Sequence, residues 1–285
     1  MMKCETEEYI SWTGEHSNGN KWTLYCGDSV EVLKSLPDKS IDCIVTSPPY
    51  YSLRDYQVDG QIGLEDTVND YVQSLCAVMD EAYRVLKDSG TLFLNIGDTY
   101  YSGKGKSHGI DAKSAKRRFG LRPVDKSGGV GVGALRKTIL GVPWRVAIEM
   151  MSRKWILRAP IIWHRGKALP EAVKDRPTHS YEYVYMFVKE RFYFFDRAPL
   201  KGQQLDEDIW DIDARPKSGG LQTAPFPDEL VKRCLEIGCP QGGVVLDPFV
   251  GSGTTMRVAL ENGMDAIGVE LNRSFCDYIV NEREL

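Results

Sequence analysis

An apolar run, Gly243-Val244-Val245-Leu246, leads into Asp247-Pro248-Phe249-Val250-Gly251-Ser252-Gly253-Thr254 and continues as Thr255-Met256-Arg257-Val258-Ala259-Leu260 with helical spacing. This reads as a strand, a tight glycine loop and a helix. In open α/β sheets such a loop lies outside the carboxyl end of a parallel strand, where ligands bind, and Gly251 and Gly253 let backbone approach a ligand closely. The loop lacks the Lys and the spacing of a phosphate-binding loop, and Met256 stands where the third glycine of a dinucleotide fingerprint would fall. A nucleotide-like cofactor without a pyrophosphate fits better. Asp265-Ala266-Ile267-Gly268-Val269-Glu270 reads as the next strand. Its final acid, 23 residues after Asp247, suits a ribose diol, although a strand-end Glu facing solvent has the same local pattern.

Ser40-Ile41-Asp42-Cys43-Ile44-Val45 is a second buried strand candidate, with Ser47-Pro48-Pro49-Tyr50 at its carboxyl end. Two prolines end the strand and stiffen the turn. Proline brings no backbone donor, so the turn offers acceptors, the Pro48 carbonyl among them, beside the Ser47 hydroxyl and the face of Tyr50. That is a receptor for an amino group. Acceptors on the hydrogens of an exocyclic base amine favour a more pyramidal, more nucleophilic nitrogen, and Tyr50 is placed to stack on a base rotated out of a duplex. Standing alone, the same turn reads equally well as a cap on a core strand.

Together the two motifs resemble those of the DNA amino-methyltransferases, which act on N4 of cytosine or N6 of adenine, in the permuted arrangement where the catalytic motif precedes the cofactor motif. The resemblance spans nearly the whole chain. It implies a Rossmann-like α/β fold with a mixed, mostly parallel sheet containing an antiparallel strand, circularly permuted motif order and a target-recognition insertion. It implies S-adenosylmethionine as cofactor, held by Asp247, Pro248, Phe249, Gly251, Ser252, Gly253 and Thr254, with Glu270 at the ribose and Ser47, Pro48, Pro49 and Tyr50 as the catalytic set. Thr223-Ala224-Pro225-Phe226-Pro227 resembles the segment that closes over the methionine end, which gives Phe226 and Pro227 as contacts; Gln222 stands where a His commonly opens it. Cys26-Gly27-Asp28 resembles the third cofactor region, with Asp28 reaching the adenine amine or serving only as a loop Asp. Permutation opens the chain between the strand ending at Glu270 and the strand at 21–26, so those two strands are expected to be neighbours.

The 285 residues suit one large α/β domain, and 42% hydrophobic residues furnish its core. We divide the chain into 1–100 with the catalytic turn, 101–140 as a basic target-recognition loop, 141–215 with further strands and target-recognition elements, and 216–285 for the cofactor. Nothing resembles a membrane span or a signal peptide, and the seven cysteines form no Cys-x-x-Cys pair. Reduced thiols in the cytoplasm of a bacterial or archaeal cell, or of a phage-infected one, are expected. Only Cys239-Pro240 has the form of a carbon-methylating nucleophile, and it lies in the link to the cofactor strand, so ring-carbon methylation is disfavoured. His16, His108, His164 and His179 are widely separated and suggest no metal.

Apolar spacing predicts a helix over 70–87, stopped by Ser89-Gly90, then a strand over 91–96. Asp98 beyond it belongs either to the substrate side or to simple turn chemistry. A helix over 143–154 and strands over 156–163 and 181–188 follow. Residues 101–140 carry ten Lys/Arg against two acids, a local charge of +8 in a chain of net −4. Concentrated basic charge binds phosphates even on an acidic protein. Lys113, Lys116, Arg117, Arg118 and Arg122 are therefore the expected DNA contacts, with a solvated insertion as the alternative. Trp163-His164-Arg165 resembles the family segment near the target base, so Trp163 either packs on the flipped base or lies in the core. The stretch 176–182 also resembles a recurrent family segment, with no chemistry legible from its residues.

The resemblance implies double-stranded DNA as partner and no membrane, with direct in-line methyl transfer after base flipping. It leaves room for a homodimer and for a cognate restriction endonuclease acting on the same site. Ser-Pro-Pro-Tyr is associated in the family chiefly with N4 of cytosine, which is the expected target. N6 of adenine, or a catalytically silent DNA-binding protein, are the alternatives.

Overall fold

The computed structural model describes residues 1–6, 9–101, 134–135, 137–166, 174–200, 207–214, 227–282 and 285. In chain order the elements are β1 (Met2–Glu5), β2 (Tyr9–Glu15), β3 (Lys21–Gly27), α1 (Ser29–Ser35), β4 (Ile41–Thr46), α2 (Val68–Val85), β5 (Leu86–Ile96) and α3 (Val142–Ser152). They continue with β6 (Ile156–His164), β7 (Tyr181–Val188), β8 (Ile209–Asp211), α4 (Asp228–Gly238), β9 (Val244–Asp247), α5 (Thr254–Glu261), β10 (Asp265–Glu270) and α6 (Arg273–Glu282).

All ten strands join one sheet in the order β1-β2-β3-β10-β9-β4-β5-β7-β6-β8. Among the described residues only β2 and β7 run against the rest, so the expected antiparallel strand is β7 and the β2 hairpin is an addition. β4 is buried at all six positions, as a strand covered on both faces must be. Side chains of α1, α2 and α3 fill one face of the sheet around Leu75, Met79 and Val146. Those of α4, α5 and α6 fill the other around Leu235, Met256 and Ile279.

The permutation expectation holds: β10 lies parallel to β3 with Glu270 opposite Cys26, so residues from both ends of the sequence form adjacent strands. From β9 the chain passes through α5 to β10 on one side, and from β4 through α2 to β5 on the other. The seam between β9 and β4 is thus a topological switch point, where a crevice opens at the carboxyl ends of the strands.

One boundary differs from the sequence reading. The Thr67 side chain caps α2, which ends at Val85, and β5 begins at once and runs through Ser89-Gly90. Leu86 is fully buried and pairs with Ile41, whereas the next pairing is Cys43 with Thr91. The intervening residues form a bulge, not a stop, and Lys87 uses it to reach Asp42 at 2.8 Å. A side chain at Gly90 would strike Leu86 and the Asp42 carbonyl. Leu75→Ala, deep under the sheet, is expected to cost about 3 kcal/mol in urea unfolding. Removing the exposed Lys34–Glu31 pair by Lys34→Ala should leave the urea midpoint essentially unchanged in the same measurement.

Candidate active site

The seam is closed by one buried carboxylate. Thr46 at the end of β4 donates its hydroxyl to Asp247 Oδ1 at 2.6 Å, and Thr255 from α5 donates to Oδ2 at 2.6 Å. The Phe249 amide adds a third bond to Oδ1 at 3.0 Å. From there the glycine loop turns outward: Gly251 has φ +54 and Gly253 φ +83, both in the left-handed region. Any side chain at 253 would also press on Ile279 at 3.1 Å. The Gly251 amide donates to Glu270 Oε2 at 2.9 Å and the Asn272 amide to Oε1 at 2.8 Å, which ties the loop to the end of β10.

These elements border one open cleft. Of the expected cofactor residues, Asp28, Pro248, Phe249, Gly251, Ser252, Thr254 and Glu270 line it, together with Ser47 and Pro49 of the catalytic turn. Asp28 has a second task, since its Oδ1 caps α1 by accepting from the Val30 and Glu31 amides.

Three expected cofactor residues stand outside the lining of the cleft. Asp247 is fully buried, with its oxygens taken by two threonines and an amide, so it shapes the loop from beneath. Gly253 supplies the left-handed turn into α5, and Pro227 caps α4; neither lines the cleft. Phe226 lies outside the described residues, as do Lys113, Lys116, Arg117, Arg118 and Arg122. Trp163 takes the core alternative: it is 4% exposed and its indole N–H donates to the Ile212 carbonyl at 2.9 Å. Asp98 takes the turn alternative, accepting the Thr99 and Val142 amides at 2.8 and 3.1 Å at the start of α3, with burial raising its pKa.

Sequence reasoning missed the far wall. Residues 54–62 fold back over the cleft, with Gln61 accepting the Tyr56 amide at 2.7 Å and donating to the Arg54 carbonyl at 3.0 Å. Tyr56 then meets Phe275 of α6 edge-on at 6.2 Å, and both line the cleft. The signal available was an aromatic-bearing loop with Gly60 and Gly63 directly after the proline turn.

The catalytic turn is anchored from two sides. Tyr71 of α2 donates to the Pro49 carbonyl at 2.9 Å. Pro48 is buried beneath the turn, and Ser47 and Tyr50 stand half-buried above it. The Tyr50 hydroxyl donates to Glu182 Oε2 at 2.5 Å, and burial together with that carboxylate raises its pKa well above the ordinary phenol value. Its ring covers Gly97, where an added Cβ would lie 2.6 Å from it.

The model of the N6/N4 methyltransferase family, described as DNA methylase, matches residues 41–281. Among characterised sequences, the Type II methyltransferase M.Cfr9I of Citrobacter freundii is 39% identical over 268 residues, 92% of this chain and 87% of that protein. M.SmaI of Serratia marcescens is 38% identical over 289 residues, covering 99% and 95%. Among solved structures, the cytosine-N4-specific PvuII DNA methyltransferase superposes with TM-score 0.70 at 20% identity, over 92% of this chain and 84% of that one. TTHA0409 of Thermus thermophilus, complexed with S-adenosyl-L-methionine, gives 0.60 at 28% identity, over 89% and 91%.

Burial lifts the pKa of Asp247 to about 6 and that of Glu270 to about 7. Between the ordinary carboxylate value and these raised ones, the unfolded chain is ionised while the folded chain still holds its protons. Stability therefore falls as pH climbs through that window and levels off above it. The urea midpoint of the ligand-free protein is expected to decline from its ordinary-carboxylate range, near 3.8 and 4.5, up to about 7. Glu270→Gln should remove the upper part of that decline.

Proposed function

This chain belongs to the N6/N4 family of DNA methylases, and we propose that within it the chain methylates the exocyclic N4 amine of cytosine in duplex DNA. The observation that supports the reaction best is a shared cleft: Ser47 and Pro49 border the same space as Gly251 and Glu270. An amine held at the turn and a cofactor held on the glycine loop would be neighbours.

The cofactor is S-adenosylmethionine, and the lining suits it. Among the described residues, two acids, Asp28 and Glu270, and one guanidinium, Arg54, line the cleft, a balance that favours a cationic ligand over a pyrophosphate. When bound, S-adenosylmethionine supplies an electrophilic sulfonium methyl. Glu270, braced by two backbone amides, keeps further lone pairs for ribose hydroxyls. Phe249, Ile62 and Phe275 give apolar surface for the adenine, and residues 54–62 form the far wall of the cleft. Ser47 accepts an amine hydrogen and aligns the nitrogen, so the main source of rate is proximity. Acceptors around it also oppose the positive charge that develops on the amine.

The choice of cytosine over adenine rests on Ser at position 47 and on its resemblance to the cytosine-type motif. The basic charge of 101–140 supplies the phosphate-binding part of the proposal. A cognate endonuclease cutting the same site and a homodimeric state belong to the same reading.

Incubation with S-adenosylmethionine and mixed-sequence duplex DNA, followed by digestion and mass spectrometry of the nucleosides, should yield N4-methylcytosine. N6-methyladenine would overturn the base choice and keep the chemistry; no methylated base would sink the proposal. Ser47→Ala should bind cofactor normally and lose roughly 100-fold in kcat. Neutralising Lys116, Arg117 and Arg118 together should weaken DNA binding and flatten the slope of log K against log salt by up to ~3. An unchanged slope would return 101–140 to a solvated insertion.

A further inference from the structure

The segments 163–165 and 176–182, the second of them without legible chemistry in the sequence, meet beside the proline turn. Arg165 places Nη1 3.2 Å from Glu182 Oε1 and donates Nη2 to the His179 carbonyl at 2.6 Å. The other carboxylate oxygen, Oε2, accepts from the Tyr50 hydroxyl at 2.5 Å and from Asn95 Nδ2 at 3.3 Å. Asn95 lies at the end of β5, is 3% exposed, and also donates Nδ2 to the Tyr183 carbonyl at 3.2 Å.

The neighbours of Asn95 dictate which way its amide points. On one side stand a carboxylate oxygen and a carbonyl, both acceptors, so the nitrogen must face them; the reverse orientation would set oxygen against oxygen twice. Oδ1 then faces the Ser47 hydroxyl at 3.2 Å and the Tyr50 hydroxyl at 3.1 Å. Tyr50 has a single hydrogen, and the closer, charged Glu182 oxygen takes it. The Oδ1 acceptor is left for Ser47, which spends its own hydrogen there and keeps its lone pairs for the cleft.

We propose that Asn95, oriented by Glu182 and Arg165, is a positioning residue that fixes Ser47 as a hydrogen-bond acceptor toward the target amine, an inference that rests on the amine-methylating reading above. The polarity matters. An acceptor at Ser47 draws on an amine hydrogen, whereas a donor there would compete for the nitrogen lone pair that must attack the methyl group. Glu182 sets this polarity without touching the substrate, and Arg165 holds Glu182 in place.

The discriminating variant is Asn95→Asp. An ionised Asp has only acceptors and confronts Glu182 and the Tyr183 carbonyl, but a protonated Asp has one donor and one acceptor and restores the Asn pattern. The ionisable groups facing this position are Glu182 from β7 and Tyr50 from the turn, with Arg165 behind Glu182. Methyl transfer to duplex DNA should therefore show kcat for Asn95→Asp at least roughly tenfold below wild type at alkaline pH, recovering as the pH falls, with KM for both substrates unchanged. Asn95→Ala should be impaired at every pH, and should cost nothing further when added to Ser47→Ala, because its effect runs through that hydroxyl.

An active wild type whose Asn95→Asp variant keeps the parent pH profile, or whose Ser47→Ala and Asn95→Ala losses simply add, overturns this proposal alone. A wild type that methylates no DNA base overturns the amine-methylating reading and the proposal with it. S-adenosylmethionine binding should be the same in all variants. Its loss in both Asn95 variants would make Asn95 a residue of the fold and overturn the positioning role.

Discussion

A carboxylate with no access to solvent, shared by two threonine hydroxyls, holds the two halves of this site together. Burying Asp247 costs free energy, which is why its pKa rises to about 6. Three hydrogen bonds offset that cost, and two of them come from different elements, Thr46 on β4 and Thr255 on α5. The bonds span the seam between β4 and β9 and add side-chain ties to the backbone pairing of Cys43 with Val245 and Ile44 with Leu246, which together fix the turn at 47–50 relative to the loop at 248–253. Methyl transfer needs donor and acceptor atoms within about 3–3.5 Å in line. A slack seam would forfeit that alignment even with every cleft residue intact.

The cleft is asymmetric in how it is held. Its glycine-loop side is pinned by bonds between side chains and backbone: the Gly251 and Asn272 amides donate to the Glu270 carboxylate, and the Ser29 hydroxyl donates to the Pro248 carbonyl at 2.7 Å. Its substrate side is pinned by side chains, with Tyr71 on Pro49 and with Glu182 and Asn95 on Tyr50 and Ser47. Backbone partners on the loop leave its geometry independent of most of the loop's own side chains. Side-chain partners on both sides make the geometry of the proline turn depend on individual residues of β5 and β7.

The sequence displayed what is local. β10 and β7 run 265–270 and 181–188, as their apolar patterns predict, because each is a buried strand bounded by clear breaks. The α2–β5 junction was misread since Ser89-Gly90 has the composition of a turn, and only the fit of Leu86 against Ile41 makes it a bulge. β2 went unread although Asn18-Gly19 marks a turn before β3; its partner strand is what gives the pattern meaning. The positions of Asp247 and Trp163 beside the site are legible, while the direction of their side chains is not: both point into the core, which for Trp163 is one of the two readings its sequence position allows. The Glu182–Tyr50 bond joins residues 132 apart, a contact that no spacing rule reaches.

Adjacency of β3 and β10 has a consequence for how the protein comes into being. On the ribosome the proline turn emerges some 200 residues ahead of the glycine loop, and Asp28 waits still longer for Glu270 and Phe275. A chain that stops before β10 has the proline turn but lacks Glu270 and Phe275 of the cleft. The cleft is complete only once β10 and α6 have joined the sheet beside β3 and β9.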